Sequence, residues 1–473
     1  MRSLYIDGAW RDSASSEALD VVDPATEQVI DTVPAGAAED VDAAVEAAAA
    51  ALPGWAALTH GQRVTHLAKA LELFNARIDD VAAVLTRDMG APAVFSRKVQ
   101  AGLPALMFQT YIDLVEEHGE RYFGGERQGN SLIVHEPVGV VGAITPWTYP
   151  LHQIVLKVVP ALLAGNTVVL KPSEVAPLSA YSLTEVFDEA GLPAGVFNLV
   201  SGTGPVVGEA IAAHPKVDMV SFTGSTRAGT RVSQVAAETV KKVALELGGK
   251  SPNVILPGAD LVKAVKRGVA DVMRNTGQSC NALTRMLVHR DSYEEAVSLA
   301  AESAAKYVPG DPTDESTRMG PLVSETQLEK VRGYIALGVE EGARLVTGGP
   351  EAVKGRESGY YVEPTVFADV RNDMRIAQEE IFGPVLAMIP YDTVEEAVEI
   401  ANDTVYGLNA AVWSGDPEQG MAVARRLRAG QIEFNGGALN PRAPFGGYKR
   451  SGNGREWGLA GLEEFCELKA VQM

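Results

Sequence analysis

From Val140 to Gly249 the chain repeats one pattern, in which short β-branched runs alternate with segments long enough for a helix. "VVGAIT" precedes a helical segment at 151–163, and "TVVLK" precedes one at 178–190. "GVFNLVS" is followed by 205–213 and "MVSFTG" by 226–238, and "KVALELGG" closes the run. Strand, helix and strand in this rhythm form βαβ units. Their crossover helices cover both faces of the sheet, so the strands read as continuous apolar runs. An open, largely parallel sheet satisfies that pattern, and such sheets bind ligands at the carboxyl ends of their strands. A second α/β rhythm runs from about 253 to 435, through "NVIL", "RMLVH", "ARLVTGG", "VLAMIPY", "NAAVWS" and "GQIEFN". The fold class is α/β.

Ahead of the first unit, residues 37–51 and 60–118 are rich in Ala and Leu at helical spacing. "RYFGGERQGNSLIVHEPVG" (121–139) then changes to Gly pairs and a β-branched run, which predicts an extended hairpin. A chain of 473 residues accommodates two or three domains, and 46% hydrophobic residues supply their cores. A formal charge of −20 repels phosphate backbones, so nucleic acid is not an expected partner. No apolar run reaches the ~18 residues of a membrane helix, and the first residues, "MRSLYIDGAWRDSASSE", hold no signal-peptide core. The expectation is a cytoplasmic protein that does not engage a membrane. Two cysteines far apart make no disulfide framework, and seven histidines without HExxH spacing predict no metal.

Several strand ends carry residues that a plain turn does not need. "TGSTRAG" (223–229) opens a helix, where free N–H groups and the Ser225 hydroxyl suit a phosphate. "GTGPVVG" (202–208) has GxGxxxG spacing, a departure from the GxGxxG dinucleotide fingerprint. In "KPSE" (171–174), Glu174 can accept from two ribose hydroxyls and Lys171 can donate, against the plainer reading of a solvated loop. A carboxylate there opposes a 2′-phosphate and favours NAD over NADP. "LELGGK" places Glu246 in an apolar strand, where burial would raise its pKa and suit it to act as a base; a water-facing edge residue is the alternative. Cys280 stands in "NTGQSCN", beside a Gly-Gln turn and between polar neighbours, unlike a packing cysteine. Cys466, between Phe465 and Glu467, reads as structural.

Together "ITPWTYP", "KPSE", "GTGPVVG", "FTGSTRAG", "LELGGK", "NTGQSC", "EEIFGP" and "PFGGYKRSGNGRE" resemble the aldehyde dehydrogenase superfamily, in the family's order and over essentially the whole chain. The resemblance implies a Rossmann-like cofactor domain (1–118 and 138–248) and a second α/β catalytic domain (249–437). It also implies a small β oligomerisation arm (119–137 and 460–473), with 438–459 as a loop region returning to the active site, and a homodimer or homotetramer. Cys280 would be the nucleophile toward a small-molecule aldehyde and Glu246 the base that activates water, with Lys157 and Glu456 on a proton-exit route. Lys171, Ser173 and Glu174 would hold the adenosine ribose of NAD, and Gly204, Gly208, Gly224 and Ser225 its pyrophosphate. Glu380 and Phe382 would hold the nicotinamide half, and Trp147 would also contact the cofactor.

One position departs from the family pattern. The loop usually carries Asn, a side-chain amide donor to the oxyanion, where this chain has Thr148. Loss of one such donor costs roughly 10² to 10³ in rate, unless the Thr hydroxyl reaches the oxygen directly or through water. By the same resemblance, Tyr149, Gln153, Leu156, Arg274, Ser279, Asn281 and residues near 436–445 would line the aldehyde's entrance. Arg274 pointing inward would attract a carboxylate, whereas an exposed helix arginine would not. Tyr149 and Phe445 suit an aromatic or medium aliphatic aldehyde. Two other readings stand beside hydrolytic oxidation: a CoA-acylating relative, which usually lacks the Glu at position 246, and a catalytically impaired cofactor-binding protein.

Overall fold

A computed structural model describes residues 2–473. Five parallel strands form the heart of the first sheet, in the spatial order Lys242–Glu246, Met219–Thr223, Val140–Ile144, Thr167–Lys171, Phe197–Leu199. Antiparallel strands finish both edges, Gly452–Asn453 on one side and Leu4–Ile6 with Ala9–Arg11 on the other. The first of the five in sequence lies at the centre. The chain winds outward through 167 and 197, then crosses back to 219. The strand order therefore reverses between Val140–Ile144 and Met219–Thr223, and a crevice opens above their carboxyl ends. Both strands are buried along their whole length, as is the crossover helix Pro150–Ala164. Burial on every face explains why that helix is mostly apolar, and its polar residues Gln153 and Lys157 are hydrogen-bonded to Thr223.

The second sheet has seven strands, ordered Arg344–Thr347, Thr365–Ala368, Val385–Tyr391, Arg285–His289, Pro252–Ile255, Asn409–Trp413, Gln431–Phe434. All pairs are parallel except the first. The Thr365–Ala368 strand, the two short N-terminal edge strands and the hairpin Ala18–Asp23/Gln28–Pro34 have no counterpart in the sequence reading. Runs of three or four residues, as in Leu4–Ile6, Ala9–Arg11 and Thr365–Ala368, carry too little periodicity to stand out.

The hairpin expected over 121–139 is displaced. The helix Gly102–Gly124 continues to Gly124, and Gly125 at φ 95 releases the chain into the strands Glu126–Gln128 and Ser131–Pro137. Position 119 thus lies inside a helix, and position 460 lies inside Gly458–Glu463. Cys466–Gln472 pairs antiparallel with the whole of Ser131–Pro137, so the two expected arm segments do form one small sheet. Cys466 is buried, with its Sγ 3.5 Å from Leu462 O. Among the described residues, no helix is long and apolar enough to cross a membrane.

Candidate active site

The helix Leu261–Met273 ends in a sharp reversal. Asn275, Thr276 and Gly277 follow one another in left-handed conformation, at φ 54, 56 and 72. A Cβ at position 277 would overlap the Gly383 carbonyl, so only glycine satisfies both the φ and the space. The polar residues around Cys280 hold this turn. Asn275 Nδ2 donates to Gln278 O and to Thr148 O, each at 2.9 Å. Gln278 Oε1 accepts from Val323 N at 2.9 Å, and its Nε2 donates to Asn275 O at 3.0 Å. Gln100, on a π-helical turn at Ser96–Ala101, donates to Thr148 O at 3.1 Å and to Asn275 Oδ1 at 3.2 Å. The Tyr149 hydroxyl meets Ser279 Oγ at 2.7 Å. The cysteine loop and the "TPWTYP" loop are therefore one hydrogen-bonded unit. Gln100 and Asn275, which bind the two together, have no counterpart in the sequence reading. Their role depends on contacts across 48 and 127 residues of chain.

Cys280, Glu246 and Thr148 line one cavity of about 220 Å³ above the switch point. Trp147, Gly224, Ser225, Glu380 and Phe382 share it, with Trp147 edge-on to Phe382 at 5.4 Å. Gln327 and Lys330, from the helix Glu325–Glu340, also line it; neither stood out in the sequence. Glu380 Oε1 accepts from Gly249 N at 3.0 Å, and a Cβ on Gly248 would overlap the same carboxylate. The Gly pair thus lets the backbone lie directly against Glu380. Among the described residues Thr148 Oγ1 makes no hydrogen bond, although its carbonyl takes two.

Glu246 is buried, and among the described residues neither of its carboxylate oxygens has a partner. The water-facing alternative is thereby excluded. Burial, then the neighbouring Glu456 carboxylate, pushes its pKa well above the usual range. A second acid site lies behind it. Lys157 Nζ binds Glu456 Oε1 at 2.5 Å and Thr223 Oγ1 at 2.7 Å, and Thr223 in turn donates to Gln153 Oε1 at 3.0 Å. A small cavity joins Glu246 to Glu456, walled by Ser221, Asn453, Arg455 and Glu464. The Gly-rich "PFGGYKRSGNGRE" loop builds this corner. Phe445 and Glu456 exchange two backbone hydrogen bonds at 2.7 Å, and Gly452 sits where a Cβ would overlap Leu245 O. Burial also pushes the Cys280 thiol up, and Glu246, Glu380 and Glu456 push the same way, opposed by the cysteine's own N–H. The charged groups acting on the thiol are acids, which opposes loss of its proton.

A larger cleft of about 1120 Å³ continues from the switch point between the helices Glu209–Ala213 and Thr226–Ala236. Gly204 and Gly208 line it. A Cβ at Gly204 would meet nothing within 4 Å, and one at Gly208 only the tip of Ile144 at 3.9 Å. Both glycines face open space that a side chain would begin to fill, as close backbone approach to a ligand requires. Ser225 caps the next helix by accepting from Ala228 N at 3.3 Å, which leaves its hydroxyl proton free to donate. Lys171, Ser173 and Glu174 line neither cavity; they lie at the carboxyl end of the neighbouring strand. Lys171 Nζ binds Glu174 Oε2 at 2.7 Å. Burial works to raise the Glu174 carboxyl, but Lys171 and the N–H groups of Glu174 and Gly204 outweigh it and hold it below its ordinary value. That Gly204 contact joins the "KPSE" loop to the cleft.

Arg274 is not an exposed helix arginine. Its guanidinium is partly buried and paired with the buried Asp271 carboxylate, which also accepts from Leu283 N at 2.9 Å. Its charge is already matched.

A parallel sheet with a glycine-lined cleft at its switch point, opening beside a cysteine and a buried glutamate, defines a nucleotide-dependent oxidoreductase architecture. The sequence pattern of the aldehyde dehydrogenase family matches residues 10–471, and the chain belongs to that family. The chain is 51% identical over 471 residues to a 3-succinoylsemialdehyde-pyridine dehydrogenase from a Pseudomonas species, covering 99% of this chain and 98% of the relative. Its structure is similar to that of a Cys→Ala mutant of aldehyde dehydrogenase C from Pseudomonas syringae in complex with NAD+ and octanal. That similarity has TM-score 0.98 at 50% identity, over 100% of this chain and 96% of the other. It is also similar to a Mycobacterium tuberculosis aldehyde dehydrogenase complexed with NAD+, with TM-score 0.96 at 42% identity over 100% and 98%.

Proposed function

We propose that this enzyme oxidises a neutral aldehyde to its carboxylic acid with NAD+, using Cys280 as nucleophile and Glu246 as base. The observation that carries the reading is that Cys280, Glu246 and Thr148 share one cavity with Trp147, Ser225, Glu380 and Phe382 at the switch point of the first sheet. The dinucleotide fits the residues present. The 1120 Å³ cleft with bare Gly204 and Gly208 receives the pyrophosphate end, with Gly224 and Ser225 at the next helix start. Lys171, Ser173 and Glu174 would hold the adenosine ribose, and Glu380, Phe382 and Trp147 the nicotinamide half. The carboxylate at 174 favours NAD over NADP. When bound, the nicotinamide supplies the hydride acceptor.

The chain's own part is proton handling and charge placement. The Cys280 thiol is held up by burial and by three acids, so its proton must be taken as the sulfur attacks. Glu246, itself pushed up, is matched to that task and to activating the water that later splits the thioester. The carbonyl oxygen gains charge as the Sγ–C bond forms, and the Cys280 N–H and the unbonded Thr148 hydroxyl are donors for it. A proton on Glu246 has an exit through the small cavity to Glu456 and Lys157. A glutamate at position 246 favours water over CoA as the acyl acceptor.

The substrate reading follows from Arg274. With Asp271 matching its charge, Arg274 does not offer an unpaired cation to a carboxylate. Relatives whose names carry octanal or a pyridine semialdehyde agree with medium aliphatic or aromatic aldehydes. The sheet formed by Ser131–Pro137 and Cys466–Gln472 ends in an edge strand with Leu468 68% and Val471 42% exposed, and we read it as the surface joining subunits in a dimer or tetramer. Reduced-nicotinamide formation with NAD+ or NADP+ and aliphatic, aromatic and acidic aldehydes tests the reading, with Cys280→Ala as control. Cys280-dependent NADH from neutral aldehydes is expected. Cofactor binding without turnover on any aldehyde would replace the reading with that of an impaired relative.

A further inference from the structure

Trp457 holds a backbone conformation that its side chain opposes. It stands at φ 63 and ψ 155, a region essentially reserved for glycine. A bulky residue stays there only when its surroundings hold it. The Trp457 N–H donates to the Tyr111 hydroxyl at 3.0 Å, and the Trp457 carbonyl accepts from Gly461 N at 2.9 Å. The residue is buried, with its ring stacked on Phe445 at 5.1 Å and edge-on to His152 at 6.0 Å. Gly458 follows at φ 57, and a Cβ there would overlap Arg442 O. Strain that is held this firmly tends to mark a site where the chain must aim a neighbouring group.

The neighbour is Glu456, directly before the strained residue. Both backbone groups of Glu456 are bonded to Phe445, but its carboxylate has a single holder. Oε1 accepts from Lys157, and among the described residues the buried Oε2 has no partner. A carboxylate held by one bond can turn about it, so its aim depends on where the backbone launches the side chain. Tyr111 stands at that point. It is fully buried on the helix Gly102–Gly124, and a Cβ on Gly461 would lie 2.5 Å from its hydroxyl and 2.9 Å from the Glu456 carbonyl carbon. Burial, then the Glu456 carboxylate, pushes the phenol up, so it keeps its proton and acts toward the Trp457 N–H as an acceptor. We propose that Tyr111, acting through the strained Trp457 turn, is a positioning residue that aims Glu456 into the small cavity it shares with Glu246. The proposal rests on the reading of Glu246 as the base whose proton leaves by this route. Tyr111 transfers no proton; it accepts one hydrogen bond and fixes the start of the Glu456 side chain.

The test uses Tyr111→Phe, which keeps the ring and removes the acceptor, and Trp457→Gly, which lets the turn relax and serves if the first variant does not fold. Both are compared with Glu456→Gln, and Tyr111→Phe is also made in the Glu456→Gln background. Three readouts are taken: kcat against pH, NAD+ affinity by fluorescence titration, and alkylation of Cys280 by iodoacetamide without substrate. The charged groups acting on Glu246 are Glu456, Lys157, Arg455 and Glu464, and after burial Glu456 does most to raise its pKa. Moving the Glu456 carboxylate away weakens that push. The rising limb of kcat is therefore expected to shift to lower pH in Tyr111→Phe, as in Glu456→Gln, with kcat down roughly 10- to 100-fold and NAD+ affinity unchanged. In the Glu456→Gln background the further loss is expected to stay below about twofold, because both changes act on one group. Alkylation reads the same carboxylate without turnover, since Glu456 opposes ionisation of the Cys280 thiol, and it is expected to quicken in every variant. A limb that moves in Glu456→Gln but stays in place in Tyr111→Phe and Trp457→Gly would overturn the proposal. So would equal losses from Tyr111→Phe with and without Glu456→Gln, or alkylation that responds to Glu456→Gln alone. Alkylation that quickens in every variant while no limb moves would keep the positioning role and remove Glu246 as the base.

Discussion

The cofactor cleft and the nucleophile pocket meet at the same strand ends but are built differently. The cleft is open: the backbone is bare at Gly204 and Gly208, a helix starts beside it at Ser225, and its space is about 1120 Å³. The pocket is made of side chains locked to one another, from Gln100 and Asn275 on Thr148 to Lys157 on Glu456. A surface of backbone donors tolerates neighbouring changes, whereas a buried polar network fails when one member is removed. The difference predicts graded effects in the cleft and steep ones in the pocket.

The steepest is Cys280→Ala, which should abolish NADH formation while leaving NAD+ binding intact; residual Cys280-independent turnover would break the contrast. Next comes Lys157→Met. It leaves Glu456 buried without its cation and should cost about 3–5 kcal/mol in urea unfolding, most of it recovered by adding Glu456→Leu. Thr148→Asn should raise kcat by up to about 10²-fold, because an amide replaces a short hydroxyl; no gain would mean that the oxygen is already fully held. The pH profile sharpens the electrostatic side. A carboxyl raised by burial and by Glu456 is ionised only at higher pH, so the rising limb of kcat should lie above the ordinary carboxylate range. Glu456→Gln removes the like charge and should move that limb to lower pH; an unmoved limb would detach Glu246 from it. The smallest effect belongs to the cleft: Glu174→Gln should narrow the preference for NAD+ over NADP+ several-fold, read as the ratio of kcat/KM values.

Much of this was legible in the residues. The βα rhythm from Val140 and the glycines after strands are local signals, and local signals survive in a linear chain. Glu246 in an apolar strand and Cys280 among polar neighbours stood out because each broke the pattern around it. Gln100, Asn275, Gln327 and Lys330 broke none. Each is an ordinary polar residue in a helix or turn, and its importance comes from a partner far away in sequence. Arg274 shows the same limit. Its identity permitted both an inward cation and an exposed one, and Asp271, three residues back in the last turn of the helix that Arg274 follows, settled its charge.

The sequence by itself determined the α/β class, the order of the strands along the chain, the glycine positions and the chemical types available for catalysis. Those follow from side-chain periodicity and from backbone freedom, which are properties of neighbouring residues. Only the tertiary structure decided the switch point, the upward push on the Cys280 thiol and the joining of Lys157 to Glu456 across the fold. Burial, electrostatic coupling and hydrogen-bond partnership depend on distance in space, and distance in space is set when the sheets and helices close around one another.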